Sequence, residues 1–484
     1  MDIKTDHPID DPSLPSYHHP VLRDLQEDLT PAYDTYNCLR GCKERYLPKE
    51  EEEPPDSYKA RLERSVFSDF YRSSIHAFSG ILSKFSLENP PPLLEQFQDD
   101  IDLEGNSLEA WFMHVDSCML RDGGIALQVE MPSELPPNAG QETLQNRRPY
   151  FIYHTRSRVL NWRTSISNGI EQLEQVTFLE YIEEQDGPFG IKISPRYKLI
   201  TRGEWYLIKI ERNGSNELQA IIEESGEYIG ANGTKLNIVP VIWYSTDQAG
   251  FGHGELPLRQ VVEHSLEHFQ QRSDLREKTH KCAMPVPVII GQAPPPPGQP
   301  RKKTVIGPNS VIELQEGGSF VFAEPSATSL IEQRAQIDEV TKLIARQTLG
   351  FLYGDSGPYK NITRTSLEGS HTESTILRIA QRKSSAMQYL MQIWCSFTGE
   401  PLNSSAGLRM SSSIYEKPME ASDVDQLHKL TGNVELVSRR SAIEELQRSG
   451  RLKVTTSVDE EIKRIDEQKP RVDQEPVIEE ELVV

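Results

Sequence analysis

Cysteine is scarce. Cys38, Cys42, Cys118, Cys282 and Cys395 are the only five in 484 residues, an odd number and widely scattered. Only Cys38 and Cys42 lie close together, and no second pair or histidine pair follows at zinc-binding spacing. The thiols are therefore read as reduced, with neither a disulfide scaffold nor a zinc finger expected. Long apolar runs are also missing: nothing approaches the ~20 residues that span a bilayer. The opening Met1-Asp2-Ile3-Lys4 has no basic stretch followed by an apolar one, so neither a secretory leader nor a membrane passage is expected. Basic charge is in deficit, with 52 Lys and Arg against 73 Asp and Glu, net −21. A general nucleic-acid binder carries the opposite balance, so any contact with DNA has to be something other than a tight grip on phosphates. No G-x-x-x-x-G-K-S/T loop is present, which argues against an ATP-driven motor, and there is no G-x-S-x-G elbow. Gly250-Phe251-Gly252-His253-Gly254 lacks the strand, G-x-G-x-x-G, helix order of a dinucleotide site and reads as a flexible joint before Pro257.

What is present is length and an uneven charge. The chain holds about three domain equivalents, with a hydrophobic fraction of 36%, low for a compact monomer. Residues 1–150 carry a net −14, 151–255 −4, 256–400 +2 and 401–484 −5. The middle segment alone is slightly positive, which marks it as the stretch most tolerant of a polyanion.

Periodicity divides the chain further. Residues 1–17 read as an unanchored arm. Val21 to Leu47 is helical, and after the acidic connector Lys49 to Pro55 a helix resumes, with Tyr58, Leu62, Val66, Phe70, Ile75, Phe78 and Leu82 on one face. A further helix at about 107–120 buries Trp111, Phe112, Val115 and Met119. Residues 150–245 shift to a two-residue period separated by turn signals such as Asp186-Gly187-Pro188, which predicts an antiparallel meander. A long helix at 256–281 follows, then a small strand-and-loop module with strands at 286–290, 311–314 and 319–322. A second long helix begins near Ser329, where Ser329 and Glu332 fit a capping box. Its apolar stripe is narrow and its other faces are polar, so it must be shared between neighbouring copies or stand with one face in water. Polar residues 353–369, a helix at 372–397, loop-like 401–418, helices at 422–448 and 457–468 and an acidic tail complete the chain.

His264-Ser265-Leu266-Glu267-His268 is the sharpest enzyme-like string. On a helix its two histidines share a face at zinc-holding spacing, with Glu267 as a possible base, and a zinc hydrolase is the alternative reading. No third ligand is evident in the polar helix around it, so packing histidines are expected and no metal or cofactor is assigned. Arg301-Lys302-Lys303 and Lys360, Asn361 and Arg364 are basic or polar loop residues able to meet an acidic partner.

Several strings resemble, in order, those of portal proteins of tailed bacteriophages and prophages. They are His19-Pro20, Gly41 with Lys43 to Pro48, Tyr58, Arg61-Leu62, Arg64, Arg147 to Tyr150, Asn161-Trp162-Arg163, Ile238-Val239-Pro240, Ser273-Asp274, Pro285 with Ile289-Ile290-Gly291, and Glu313-Leu314 followed by Gly317-Gly318. The similarity covers roughly residues 18–400. It implies an α+β portal fold: a helical and antiparallel-β wing (18–255), stem helices (256–281 and 326–352) flanking a clip (282–325), a tunnel loop (353–371), a connecting helix (372–400), a helical crown (401–469) and an acidic tail (470–484). It also implies a non-enzymatic ring of about twelve copies at one capsid vertex in the virion, assembled in the bacterial cytoplasm. Implied partners are the major capsid protein, the terminase large subunit, a head–tail adaptor and double-stranded DNA in transit. Lys360, Asn361 and Arg364 would touch DNA, Arg301, Lys302 and Lys303 would dock partners at the clip, and Val262, Leu266, Phe269, Ile337, Val340 and Ile344 would pack stem subunits. A non-ring minor capsid or scaffold protein is a further alternative.

Overall fold

Proline and glycine chemistry decides where the first helices begin and end. In the computed structural model α1 (Pro20–Tyr36) starts on a proline at its first turn, where a missing N–H costs nothing, and the His19 ring accepts the Val21 N–H. It stops at Tyr36 instead of reaching Leu47. Cys38, Leu39 and Gly41 take positive φ, and the turn they make buries Leu39 completely beside Leu47. After the short α2 (Lys43–Tyr46), the helical face expected from Tyr58 to Leu82 is divided into α3 (Pro55–Arg64) and α4 (Phe70–Leu82). Ser65–Asp69 is not helical, and Val66 is exposed. β1 (Phe85–Glu88) and α5 (Pro92–Gln96) lead to α6 (Leu108–Asp122), capped by the Ser107 hydroxyl and ended by Gly123 at φ 74°.

The structure describes residues 7–132, 147–167, 169–231, 233–247, 250–282, 286–290, 314, 317–323, 328–348, 362–410, 438–448 and 458–467. β2 (Gly124–Glu130) is the middle strand of an antiparallel sheet in the order β3–β2–β9, with β3 at Tyr150–Thr155 and β9 at Val241–Ser245. Every residue of β2 is buried, because helices cover the sheet that flanking strands already enclose. The expected meander is present as a second, five-stranded sheet: β4 (Val159–Ser167), β5 (Ile170–Asp186), β6 (Gly190–Thr201), β7 (Glu204–Arg212) and β8 (Leu218–Glu227), each antiparallel to the next.

α7 (Arg259–Cys282) and α8 (Thr328–Gln347) bracket an antiparallel pair, β10 (Val286–Ile290) with β11 (Ser319–Ala323). α9 (Ile362–Thr398) begins ten residues earlier than expected, so 362–371 is helix, not loop. The β-branched, Ser and Gly content of Ile362 to Gly369 is poor in helix formers, which hid its start. α9 lays Ile379, Met387, Leu390, Met391 and Trp394, all buried, toward β2 and β9, with Trp394 edge-on to Phe151 at 5.7 Å. The 401–418 segment, read as loop, contains β12 (Gly407–Met410), which pairs with β1. Residues 411–484 form a separate unit, in which the structure describes the helices α10 (Arg439–Arg448) and α11 (Val458–Glu467); residues 422–437 lie outside the described part. Among the described residues no helix is long and apolar enough to cross a membrane.

Candidate functional site

α7 and α8 pack on each other and run antiparallel: the Gln347 amide, at the end of α8, donates to Gln260 Oε1 at the start of α7 (2.7 Å). Each has one buried stripe. On α7 it is Val261, Val262, Ser265, His268, Phe269 and Ser273, with Leu258 just ahead of the helix, and on α8 Val340 and Ile344 anchor it. α7 is also flanked by α1, α3 and α4, and Phe269 is enclosed by Leu39, Leu47 and Phe67. Val262, Phe269, Val340 and Ile344 are thus buried within the single chain, whereas Leu266 and Ile337 remain half-buried. The rest of both helices is polar and nearly neutral, with eight basic and seven acidic side chains over 259–282 and 328–347. Such a surface neither grips phosphate strongly nor repels it strongly.

The H-x-x-E-H string does not converge. His264 Nδ1 sits 3.4 Å from Glu267 Oε2 on the half-exposed side. His268 is buried, edge-on to the Phe70 ring at 5.1 Å. Burial, followed by the Arg272 charge, pushes the His268 pKa down. Among the described residues no group of three or more His, Cys, Asp or Glu comes together as a metal site.

The entry to α7 differs from the expected flexible joint. Arg156, itself buried, donates to the carbonyls of Asp122 (2.8 Å), Gly252 (2.5 Å) and Gly254 (3.0 Å). Gly252, at φ 77°, lies flat against Trp162, and Gly254 lies against the Gly123 carbonyl; a Cβ at either would collide. Trp162 stacks on His19 at 3.9 Å, and the Trp243 indole donates to the His253 carbonyl. The glycines serve close packing, and the segment is fastened to the two sheets and the end of α6. Burial lowers the Arg156 pKa to about 10, still charged at neutral pH.

A second buried centre joins α9 to α6, β9 and the end of α4. Lys383 Nζ donates to Asp116 Oδ2 (2.7 Å) and to the Leu82 carbonyl (2.7 Å), with both charged side chains fully buried. The Tyr244 hydroxyl donates to the other Asp116 oxygen at 2.9 Å, and the ammonium lies over the Phe85 and Phe112 rings. Burial raises the Asp116 pKa and lowers that of Lys383, each opposed by its partner. Neither this pair nor the Arg156 clamp has a local sequence motif; the only cue is a lone Lys and a lone Asp among apolar helical positions. Of the other expected site residues, Arg301, Lys302, Lys303, Lys360 and Asn361 lie outside the described residues. Arg364 falls in the first turn of α9, with its side chain outside them.

A family described as Domain of unknown function (DUF4055) matches residues 257–398, from the start of α7 to the end of α9. No curated protein matches the chain. Among solved structures, a chain of the virion of a native gene transfer agent (GTA) particle is 13% identical, with a TM-score of 0.41 over 87% of this chain and 99% of that one. A chain of the neck of an empty GTA particle, computed with C6 symmetry, is 13% identical, with a TM-score of 0.40 over 84% and 96%. A chain of the neck of a native GTA particle, computed with C12 symmetry, is 14% identical, with a TM-score of 0.40 over 83% and 95%.

Proposed function

We propose that the chain is a portal-type protomer. About twelve copies form a ring at a capsid vertex, nucleate head assembly, dock a packaging terminase and a neck adaptor, and pass double-stranded DNA without hydrolysing anything themselves. The observation that carries this reading is the α7–α8 pair. It comprises two long antiparallel helices, each with one buried stripe and otherwise polar faces, joined through the β10–β11 pair. Rods of this kind gain from neighbours on their flanks while a polar, near-neutral side lines a wet channel. The ordered resemblance in the sequence points the same way, and a net charge of −21 suits a conduit through which DNA slides.

In this reading Leu266 and Ile337, half-buried in the protomer, join the polar flanks in meeting the adjacent copy, and Val262, Phe269, Val340 and Ile344 stiffen each rod from within. Arg301, Lys302 and Lys303 dock partners, and Lys360, Asn361 and Arg364 brush the DNA backbone with no sequence preference. Native mass spectrometry tests the ring: twelve copies of 55.0 kDa give about 660 kDa, and a stable monomer where capsids assemble would defeat the proposal. Lys360→Ala with Arg364→Ala should lower packaged DNA or its retention while leaving ring mass unchanged; no effect on either would remove their assigned role.

A further inference from the structure

The longest strands of the meander outrun their neighbours. β4 pairs with β5 only as far as Phe178, and β7 pairs with β6 only from Tyr197 onward. Between them Glu180–Asp186 and Gly190–Arg196 are hydrogen-bonded to each other and, among the described residues, to no third strand. The result is a two-stranded ribbon of roughly 24 Å at ~3.4 Å per residue. A two-stranded ribbon is marginal in water unless something covers it. Phe189 at its tip is 100% exposed, and Ile191 and Ile193 on one face are 67% and 60% exposed. That same face continues inward to Tyr197, which is buried against Leu14 and Leu179, so the distal apolar side chains extend a core that lacks its cover. A row of exposed apolar side chains of this kind, Ile191 and Ile193 lying across from Gln185 and Glu183, marks an interaction site with an apolar and an acidic side.

Charge selects the occupant. Glu180, Glu183, Glu184 and Asp186 against Lys192 and Arg196 leave the ribbon net −2, on a segment, 151–255, that is itself net −4 beside one of −14. A second copy meeting it through these regions would set acid against acid. Lys192 and Pro195 on β6, and Glu183, Glu184 and Asp186 on β5, discourage addition of a strand along either open edge, since charged side chains are costly to bury and a proline offers no N–H. Contact by the face remains.

We propose that the 180–196 ribbon is a docking arm for a different protein, one presenting an apolar strip flanked by lysines or arginines. The test uses the full chain and two labelled peptides, Lys-Val-Lys-Ile-Lys-Phe-Lys-Val-Lys and its counterpart with Glu at every Lys. Both are followed by fluorescence anisotropy at about 0.05 and 0.3 M salt. The lysine peptide should bind at least tenfold tighter than the glutamate one, and Ile191→Ser with Ile193→Ser should weaken it about tenfold at both salts. Because both positions are exposed, the thermal midpoint of the variant should not move, and Phe189→Ser provides a second variant at the tip. No binding, equal binding of the two peptides, or a variant that binds like the parent overturns the proposal. So does a change of native mass in the variant, which would make a second copy the occupant. A ring that fails to form would leave the peptide result standing, since the titration reads only the ribbon.

Discussion

His154 shows how burial writes a pH dependence into one side chain. Its ring stacks on Phe178 at 3.8 Å and its Nε2 meets Gln128 Oε1 at 2.9 Å, so the neutral ring donates there. Burial first, and the Lys198 charge second, depress its pKa to about 3. The folded state therefore binds fewer protons than the unfolded one between pH 3 and the ordinary value of 6.5. Stability is whole above 6.5 and falls by about 1.4 kcal/mol per pH unit as the pH drops below it. His18, His19, His114 and His268 are pushed down as well, burial again leading, and add the same sign. Urea midpoints measured from pH 7 to 4.5 should decline, and His154→Gln should flatten the decline by close to one proton. The Lys383–Asp116 pair gives a sharper result. Lys383→Met alone strands a buried carboxylate and should cost about 3–5 kcal/mol. Adding Asp116→Asn, which keeps an acceptor for Tyr244, should recover most of that in the same urea titration.

At the scale of elements, the fastening of the α7 entry makes its own prediction. Arg156→Ala removes three charge-assisted bonds to carbonyls, and a loss of about 2–4 kcal/mol is expected from bonds of this type. New proteolytic cleavage after Phe251 should accompany it. Gly252→Ala should destabilise the same segment through Trp162 and the positive φ. What could be read in advance was whatever periodicity writes: α6, the meander, and the long polar helices. What could not be read depends on partners remote in sequence. Ile125, Leu127 and Val129 alternate as a strand should, yet Gln128 and Glu130 on the opposite face are buried too. They are satisfied by His154 and Lys198, which no local pattern connects to β2. The glycines at 250–254 look like slack because glycine is permissive; their actual use, a flat seat for Trp162 and carbonyls offered to Arg156, involves backbone atoms that residue identity does not display. The end of α1 was missed for a related reason, since the buried seat of Leu39 overrides the local helical pattern.

For the whole molecule, net charge and its distribution bear on the proposed ring. If the polar flanks of α7 and α8 join protomers through near-neutral mixed charges, raising salt from about 0.1 to 1 M should leave an assembled ring intact in sedimentation, because screening weakens repulsion between acidic bodies as well as attraction within pairs. A ring that dissociates steeply with salt would instead identify ion pairs as the main bond. The β1–β12 pairing carries a consequence for biosynthesis. Phe85–Glu88 meets its antiparallel partner only at Gly407–Met410. At ~5–20 residues per second a ribosome needs roughly 15–60 s to deliver the intervening ~320 residues. Through that interval the nascent chain holds an open strand edge beside Phe112, and chaperone occupancy of stalled chains should drop once translation passes Met410 and clears the exit tunnel.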